Sequence, residues 1–457
     1  MHPESLRIAR HWLVTGLEKA RDFVVLQDDI DWLQSLTPPM LETIAFRIHS
    51  FRPQAPSFFH VPKDDGSFRR VPILSVQDRL MLTALVADNF DVILKGATCN
   101  TQACVDYQYP LPQNRQDTNW VNEWKDTYAA FRQRSMDLEN EGYFVLNTDI
   151  KDFAPSCQHG YLIDILRHMG WKPQSLATLD RAFAQWRAQG LCGIPQGLVV
   201  TEILTKCYLS DLDWVMSKHK DVVFFRYSDD IRLASRDAHA LEDARMDMET
   251  MLGDAGLMLK PEKTFISSDR APRTAWRIET IFDPLLEKAG LPTGLQKGQV
   301  LPPAILEEVY GAHLSPRRAD PAIPPQTLFN FTMNRLSQIG SRVAHADMGQ
   351  LVQEHPGKIL DLLRHALQTG YRGFRALHDQ IADANLRTYF KYALLLRSSE
   401  LVEKGGRAPD EVAALAGDWA SGFDKALPPY IKAKAAEVHK VISRRADVDI
   451  NLDHPQP

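Results

Sequence analysis

The pattern of apolar and polar positions changes several times along the first third of the chain. Residues 5–50 place apolar side chains at helical spacing, with a break at the Thr-Pro-Pro-Met sequence that begins at Thr37. The stretch "SFFHVPKDDGSFRRVPILS" (57–75) has two apolar runs around a Lys-Asp-Asp-Gly turn, which predicts a β-hairpin with a basic rim. Residues 76–90 then predict a helix, and the polar residues 108–124 predict a loop or insertion.

Strand and helix patterns mix between Gly142 and Phe265. The sequence "GYFVLNTDIKDF" predicts a strand that ends in acidic residues, and "VVFFRYSDDIRLAS" predicts a hairpin. Helical periodicity and a short final strand complete the region, with helices predicted for 160–170, 175–190, 199–216 and 238–256 and the strand for 257–266. This order is typical of an α+β domain built on a small antiparallel sheet.

The strand pattern ends at about Pro325, and only amphipathic helical patterns follow. They cover residues 327–346, 355–370, 384–405 and 409–427, and they predict an all-α C-terminal module. Residues 444–457 are polar and predict a loose tail.

Composition and charge narrow the class of protein. The chain has 457 residues, of which 44% are hydrophobic and 24% charged, enough for two or three domains. A formal charge of −5 requires any nucleic-acid partner to bind in a local basic groove. No apolar run reaches the length of a membrane span, and the five scattered cysteines suit a reducing compartment, so we expect a cytoplasmic protein without a membrane partner. Cys99 and Cys104 lack a second pair at zinc spacing and are interpreted as structural.

The acidic residues at the strand ends are the first candidates for chemistry. Asp229 and Asp230 fit an ordinary acidic hairpin turn, yet Asp149 ends another apolar strand. If the two strands are neighbours, three carboxylates converge, and their repulsion favours a divalent cation between them. Two Mg²⁺ ions held in this way support nucleotidyl transfer. Asp152 is interpreted as structural or surface-exposed.

A polymerase also needs groups for the triphosphate, the nascent base pair and the leaving pyrophosphate. Lys63 and Arg69 flank the first hairpin turn and are candidates for the triphosphate, although solvated surface charges are the alternative. Gln196 and Gly197 in "GIPQG" permit a close approach of backbone to ligand, although a helix-entry loop has the same sequence. Lys263 is either a proton donor or a strand-end lysine.

The order and spacing of five segments resemble those of reverse transcriptases. "PKDDGSFRRVPILSVQDR", "TDIKDFAPS", "GIPQGLVVTEIL", "YSDD" and "GLMLKPEKT" match the fingers motif and palm motifs A to D over residues 58–266. The resemblance implies an α+β right-hand polymerase whose fingers and palm, with a small antiparallel palm sheet, precede the all-α module. The implied segments are an N-terminal helical segment (1–57), fingers with an insertion (58–141), palm (142–270), a connection or thumb-like part (271–324) and the helical C-terminal domain (325–457).

The resemblance also implies roles for individual residues and a set of partners. Asp149 and Asp229 become the principal metal ligands, with Asp230 as companion and Ile150 in the same metal site. Gln196 and Gly197 would contact the nascent base pair, and Lys63 and Arg69 the triphosphate. Lys263 would contact the pyrophosphate, and Tyr227 the primer terminus. Two Mg²⁺ ions, dNTPs, an RNA and a DNA product follow as cofactor and partners, and a homo-oligomer stays open.

The sequence departs from the family at the position that excludes a ribose 2′-hydroxyl. Many relatives have an aromatic residue there, whereas this chain has Ala154. The alternative is that the preceding Phe153 is repositioned to fill the space, so sugar selectivity stays open. A palm and fingers core that continues into a helical module looks most like the abortive-infection and defence-associated bacterial reverse transcriptases. Untemplated synthesis and priming on a tyrosine hydroxyl stay open for this group, with candidates at Tyr371, Tyr389, Tyr392 and Tyr430. A maturase-like RNA-binding protein and a two-metal hydrolase are the competing hypotheses.

Overall fold

The computed structural model describes residues 1–19, 26–98, 104–106, 124–267, 278–295, 300–318, 326–421 and 427–452. It divides into two compact units, of which the first comprises Met1–Phe58 and Val71–Pro272 and the second Phe59–Arg70 and Arg273–Pro457. The strands are β1 (Ser57–Pro62), β2 (Phe68–Ile73), β3 (Cys104–Asp106), β4 (Phe144–Asp149), β5 (Val223–Tyr227), β6 (Asp230–Ser235) and β7 (Phe265–Ile266).

Helices make up most of the first unit. They are α1 (Pro3–Lys19), α2 (Gln27–Ser35), α3 (Pro38–Arg47), α4 (Val76–Asp88), α5 (Phe90–Thr98), α6 (Trp124–Asn140), α7 (Phe153–Ser156), α8 (His159–His168), α9 (Pro173–Ala188), α10 (Val199–Tyr208), α11 (Ser210–Met216) and α12 (Ala238–Asp254). Helix α4 begins at the cap residue Ser75, whose hydroxyl accepts the Asp78 amide at 3.1 Å. Nearly every residue of α4 is buried, so it forms the centre of the helical core beside α1.

The sheet of the first unit has the strand order β3-β5-β6-β4-β7 among the described residues. Strand β3 pairs with β5 in parallel, and all other pairs are antiparallel. The predicted α+β fold with a small antiparallel palm sheet is therefore confirmed, with the difference that β3 joins the sheet in parallel. In the β4–β6 ladder Asp149 lies directly opposite Asp230, and in the β5–β6 ladder Tyr227 lies opposite the same Asp230.

Among the described residues of the second unit, the regular elements are helices, apart from the segment of the first hairpin that it contains. Its helices are α13 (Ile278–Lys288), α14 (Pro303–Val309), α15 (Gln326–Gln338), α16 (Met348–Glu354), α17 (Ile359–Gln368), α18 (Phe374–Gln380), α19 (Ala384–Glu403), α20 (Asp410–Ala420) and α21 (Pro429–Leu452). Helix α19 is capped by Asp383, whose carboxylate accepts the Leu386 amide at 2.7 Å. Within the described residues beyond Pro325 every regular element is helical, which confirms the predicted all-α module.

Three predicted elements differ from the structure. The single helix predicted for 199–216 is two helices that meet at Leu209. The strand predicted for 257–266 is mostly irregular, because Pro261 starts a short 3₁₀ turn and only Phe265–Ile266 pair with β4. The predicted loose tail is wrong as far as Leu452, since α21 continues to that residue.

The two compact units divide the chain at different places from the predicted segments. Most of the hairpin assigned to the fingers belongs to the unit that contains the C-terminal helices. The functional labels of the predicted segments stay a prediction. The predicted loop at 108–124 lies outside the described residues except for Trp124, and Cys99 lies outside them too. Cys157, Cys192 and Cys207 are free thiols.

Candidate functional site

The turn between β5 and β6 carries the two adjacent aspartates. Ser228 has a φ of 56°, which is uncommon for a residue other than glycine and gives a tight turn. The Ile150 amide donates to the Asp229 carbonyl at 3.1 Å, so the turn is joined to the end of β4. Because these contacts are between backbone groups, Asp149, Asp229 and Asp230 are held at one edge of the sheet by the fold itself.

A buried arginine supports the same turn. Arg226 on β5 donates to both carboxylate oxygens of Asp213 on α11, each at 2.7 Å, and to the Ser228 carbonyl at 3.3 Å. The Arg226 side chain is 1% exposed, so losing its partner would leave an uncompensated buried charge. Arg226 therefore positions the left-handed turn. The signal in the sequence was a single charged residue inside the apolar run "VVFFRY".

Two lysines bind the Asp149 carboxylate. Lys260 donates to Oδ1, and Lys263 donates to Oδ2 at 2.7 Å. The Lys260 amide also donates to the Asp149 carbonyl at 2.8 Å, which places the lysine segment beside β4. Lys263 was expected near this site, whereas Lys260 was missed although it lies in the same "KPEK" sequence.

The carboxylates influence one another and the lysines. Burial and the negative charge of Asp149 raise the pKa of Asp229 to about 6. Burial also raises the pKa of Asp230, although Arg232 partly opposes this shift. Burial lowers the pKa of Lys263, but the hydrogen bond to Asp149 and the carboxylate charges outweigh it, so the pKa is raised. Lys263 is thus protonated at neutral pH.

The donor set at this edge suits magnesium, but the carboxylates do not form a closed cage. Aspartate oxygens are the hard ligands that Mg²⁺ prefers, and their mutual repulsion favours a cation. Among the residues that the structure describes, no three His, Cys, Asp or Glu side chains are grouped closely enough to hold a metal ion. The metal-ligand set of Asp149, Ile150, Asp229 and Asp230 therefore stays a prediction.

The "GIPQG" loop lies against the position predicted to control the sugar. The Ile194 amide donates to the Ala154 carbonyl at 2.8 Å. A Cβ on Gly193 would overlap that carbonyl oxygen and lie 2.6 Å from the Pro155 carbonyl carbon, so only glycine permits this approach. Phe153 is 6% exposed and packs at 6.3 Å from the Tyr208 ring, which keeps its ring inside the core.

A histidine fixes the same loop from the other side. His159 Nε2 lies 2.7 Å from the Gly193 carbonyl, and its ring stacks on Phe183 at 4.2 Å. Burial lowers the pKa of His159, so the neutral ring donates from Nε2. Nearby, the Oε1 atom of Gln196 is buried and has no hydrogen-bond partner among the described residues. Gly197 adopts a φ of 98°. His159 was not predicted as a functional residue.

The other predicted site residues lie in different surroundings. Tyr227 is half-buried, with its ring 5.0 Å from Tyr128 and 6.0 Å from Phe131. Lys63 and Arg69 belong to the hairpin residues of the second unit, where Lys63 is half-buried and Arg69 is exposed. The structure thus brings the three aspartates and Lys263 together within the first unit.

Residues 61–296, just over half of the chain, match the family described as reverse transcriptase (RNA-dependent DNA polymerase). The chain is also 24% identical over 133 residues to the retron Ec86 reverse transcriptase of Escherichia coli, a match that covers 28% of this chain and 40% of that protein. The chain therefore spans two-fifths of the length of this curated relative.

Two solved telomerase structures are among the similar folds. That of Candida albicans in complex with the TWJ fragment of telomeric RNA is 12% identical, covers 78% of this chain and 63% of its own, and has a TM-score of 0.33. The apo telomerase of Candida tropicalis is 11% identical, and the match covers 76% of this chain and 62% of the telomerase chain, with the same TM-score of 0.33. Among the described residues of this chain, no helix is both long and apolar enough to span a membrane.

Proposed function

This chain belongs to the reverse transcriptase family, and we propose that it is an RNA-directed DNA polymerase that works at the edge of the palm sheet. The family predicted from the sequence is thereby confirmed. The observation that supports the activity is the strand register, which fixes Asp149 opposite Asp230 and places Asp229 in the adjoining turn. The substrates are dNTPs, the template is an RNA, and the product is DNA.

Asp149, Asp229 and Asp230 would hold two Mg²⁺ ions, together with the main chain at Ile150. Bound there, magnesium would lower the pKa of the primer 3′-hydroxyl and neutralise charge on the leaving pyrophosphate. Lys260 and Lys263 form ion pairs with Asp149, so both lysines would have to release this carboxylate for it to hold magnesium. Lys263, whose side chain is 54% exposed, is free to turn from Asp149 towards the pyrophosphate and donate a proton.

The nucleotide contacts follow from the loop beside Ala154. The buried Oε1 of Gln196 lacks a hydrogen-bond partner among the described residues, and a nascent base pair supplies donors for such an atom. Gly197, which has no side chain, permits close approach of the backbone to the ligand, and Tyr227 packs beside the primer terminus. Lys63 and Arg69 bind the triphosphate as cations.

The biological setting that we propose is bacterial antiphage defence. The support is the resemblance of the motif order to abortive-infection reverse transcriptases, together with the helices that follow Pro325. The RNA template is then a partner that other genes supply.

The decisive experiment is incorporation of labelled dNTPs by the purified full-length chain in Mg²⁺, on added RNA templates, with sequencing of the product. We expect DNA complementary to the RNA, and no product from Asp229→Asn. A DNA product whose sequence is unrelated to the template would show that synthesis is untemplated. An absence of product under all template conditions would overturn the polymerase assignment.

A maturase-like RNA-binding protein is the second candidate, and two observations favour it. The two lysines on Asp149, and the lack of a closed three-ligand group among the described residues, are compatible with a site that does not bind metal. RNA binding that is unchanged by chelation of Mg²⁺, without dNTP incorporation, would identify this function.

A further inference from the structure

The base of the β1–β2 hairpin is fixed by an aromatic cluster. Phe59 on β1 is 2% exposed, and its ring lies 5.6 Å from Tyr389, 5.0 Å from Tyr392 and 5.8 Å from Tyr430. The first two tyrosines are on α19 and the third is on α21, and all three side chains are buried. Two C-terminal helices therefore enclose a residue of the hairpin. This burial favours a packing role for the three tyrosines, and priming on a tyrosine hydroxyl stays a prediction.

The tip of the hairpin is fixed by an ion pair at a second point. Lys358 donates to the Asp64 carboxylate at 3.1 Å, and the lysine side chain is only 7% exposed. A buried ammonium needs its partner, because without one it is an uncompensated charge. Next to Lys358, a Cβ on Gly357 would lie 2.9 Å from the Asp64 amide nitrogen, closer than side chains normally approach backbone. The tip thus rests directly on the chain at residues 357–358.

The turn between these two anchors is well defined. The Lys63 amide donates to the Ser67 carbonyl at 2.7 Å, and the Gly66 amide donates to the Lys63 carbonyl at 3.1 Å. The Ser67 amide also donates to the Asp65 carboxylate at 2.9 Å. Since Lys63 is next to Asp64 in this closed turn, a contact that holds Asp64 also holds the Lys63 backbone. Arg69 lies on β2, one residue before Arg70, the last hairpin residue that belongs to the second unit.

We propose that Lys358, Gly357 and the aromatic cluster around Phe59 are positioning elements for nucleotide binding. By holding the hairpin, the C-terminal helices set where Lys63 and Arg69 lie, and so they set the affinity for the triphosphate. The inference rests on the proposed function, which makes Lys63 and Arg69 the triphosphate ligands. It assigns to the helical module a role in substrate affinity.

Two variants loosen the tip, and each has a matched control in the same unit. Lys358→Met removes the ammonium and leaves Asp64, which is half exposed, in contact with water. Gly357→Ala adds a methyl group against the Asp64 backbone. Lys404→Met changes an exposed lysine, and Gly311→Ala adds a methyl group where no atom lies within 4 Å. If Gly357→Ala fails to fold, Lys358→Met alone tests whether the C-terminal helices position the hairpin.

The first measurement is hydrogen exchange at the Lys63 and Gly66 amides, which does not depend on any activity. The second is the KM and kcat for dTTP incorporation, together with calorimetric binding of dTTP in Mg²⁺. In both test variants we expect faster exchange at these amides and a KM about tenfold higher with kcat retained, as for lost ground-state binding. Neither control should differ from the wild type.

The possible failures are distinguishable. Unchanged exchange in Lys358→Met would overturn the anchoring of the hairpin, and faster exchange with an unchanged KM would overturn its control of affinity. If the wild type incorporates no dNTP, the proposed function fails, and calorimetry then decides the inference alone. In that case weaker dTTP binding by Lys358→Met supports it, and binding equal to that of the wild type overturns it.

Discussion

The palm carboxylates and the β1–β2 hairpin are positioned by different kinds of contact. Asp149 and Asp230 are opposed through hydrogen bonds of one antiparallel ladder, where a slip of one residue would turn each side chain to the other face. The hairpin is only a two-stranded ribbon, which is marginally stable by itself. Its tip depends on Lys358, which follows Asp64 by 294 residues.

Under the proposed function, this difference separates the residues of the chemical step from those that control substrate affinity. The sheet fixes the carboxylates through backbone geometry that few side-chain changes can disturb. The hairpin depends on side-chain contacts that a change in the C-terminal helices can weaken without affecting the sheet. Variants in the two regions should therefore have different kinetic and stability signatures.

Removal of a palm carboxylate should produce the largest effect. Asp149→Asn or Asp229→Asn keeps the side-chain volume but removes a ligand charge, so we expect dNTP incorporation to fall by at least ~10²-fold. Asp254→Asn on the exposed end of α12 is the control and should have wild-type activity. Thermal melting should give folded protein in all three cases. Incorporation by Asp229→Asn at the wild-type rate would refute the site.

Local patterns in the sequence predicted the strands that carry the carboxylates, but not that these strands are neighbours. Apolar, strand-forming runs predict β4, β5 and β6, with Asp149 at a strand end and Asp229 and Asp230 in a turn. In the structure Asp230 is instead the first residue of β6. The anchoring of the hairpin has no local pattern, because the contact between Asp64 and Lys358 depends on how distant helices pack. His159 was missed for a similar reason, since only the folded loop brings the Gly193 carbonyl to its ring.

A second prediction compares the cores of the two regions. Phe59→Ala removes a fully buried ring from the helical unit, and Phe225→Ala removes one from the sheet, where its ring lies 5.5 Å from Phe131. Each should lower the free energy of unfolding by about 3–5 kcal/mol. Hydrogen exchange should accelerate in α19 and α21 for Phe59→Ala, and in β4–β6 for Phe225→Ala. Acceleration confined to β4–β6 in Phe59→Ala would contradict the assignment of the hairpin to the helices.

The stability of the two units should also change in opposite directions as the pH falls. His365 is 0% exposed, and burial, with a smaller effect of the charge of His345, lowers its pKa from 6.5 to about 4. Its stabilising effect is present above pH 6.5 and is lost as the pH falls towards 4. In the first unit, burial raises the pKa of Asp78 from 3.8 to about 6, so its stabilising effect is present below pH 3.8 and is lost as the pH rises through 6.

Between pH 7 and pH 5, His365 should therefore weaken the helical unit and Asp78 should strengthen the first unit, each by about 1–2 kcal/mol. Hydrogen exchange corrected for the intrinsic rate at each pH measures both changes in one sample. His365→Leu should remove the loss in the helical unit, and Asp78→Asn should remove the gain in the other. Equal changes in both units, unaffected by these variants, would contradict the prediction.

The smallest expected effect is on the discrimination between deoxyribose and ribose. It distinguishes the two regions most clearly, because only the palm variant should change it. Ala154 offers only a methyl group at the gate position, its carbonyl is held by Ile194, and the neighbouring Phe153 ring packs against Tyr208. We therefore expect weak discrimination between dNTPs and NTPs, which Ala154→Phe should increase about tenfold, within the ~1–3 kcal/mol that a steric clash supplies. Lys358→Met should instead raise the KM for a dNTP and its NTP partner equally, because the triphosphate is common to both. The ratio of kcat/KM for dATP and ATP in the three proteins tests this. If Ala154→Phe leaves the ratio unchanged, another residue is the gate, and if Lys358→Met changes the ratio as strongly as Ala154→Phe, the hairpin contributes to sugar selection as well as to affinity.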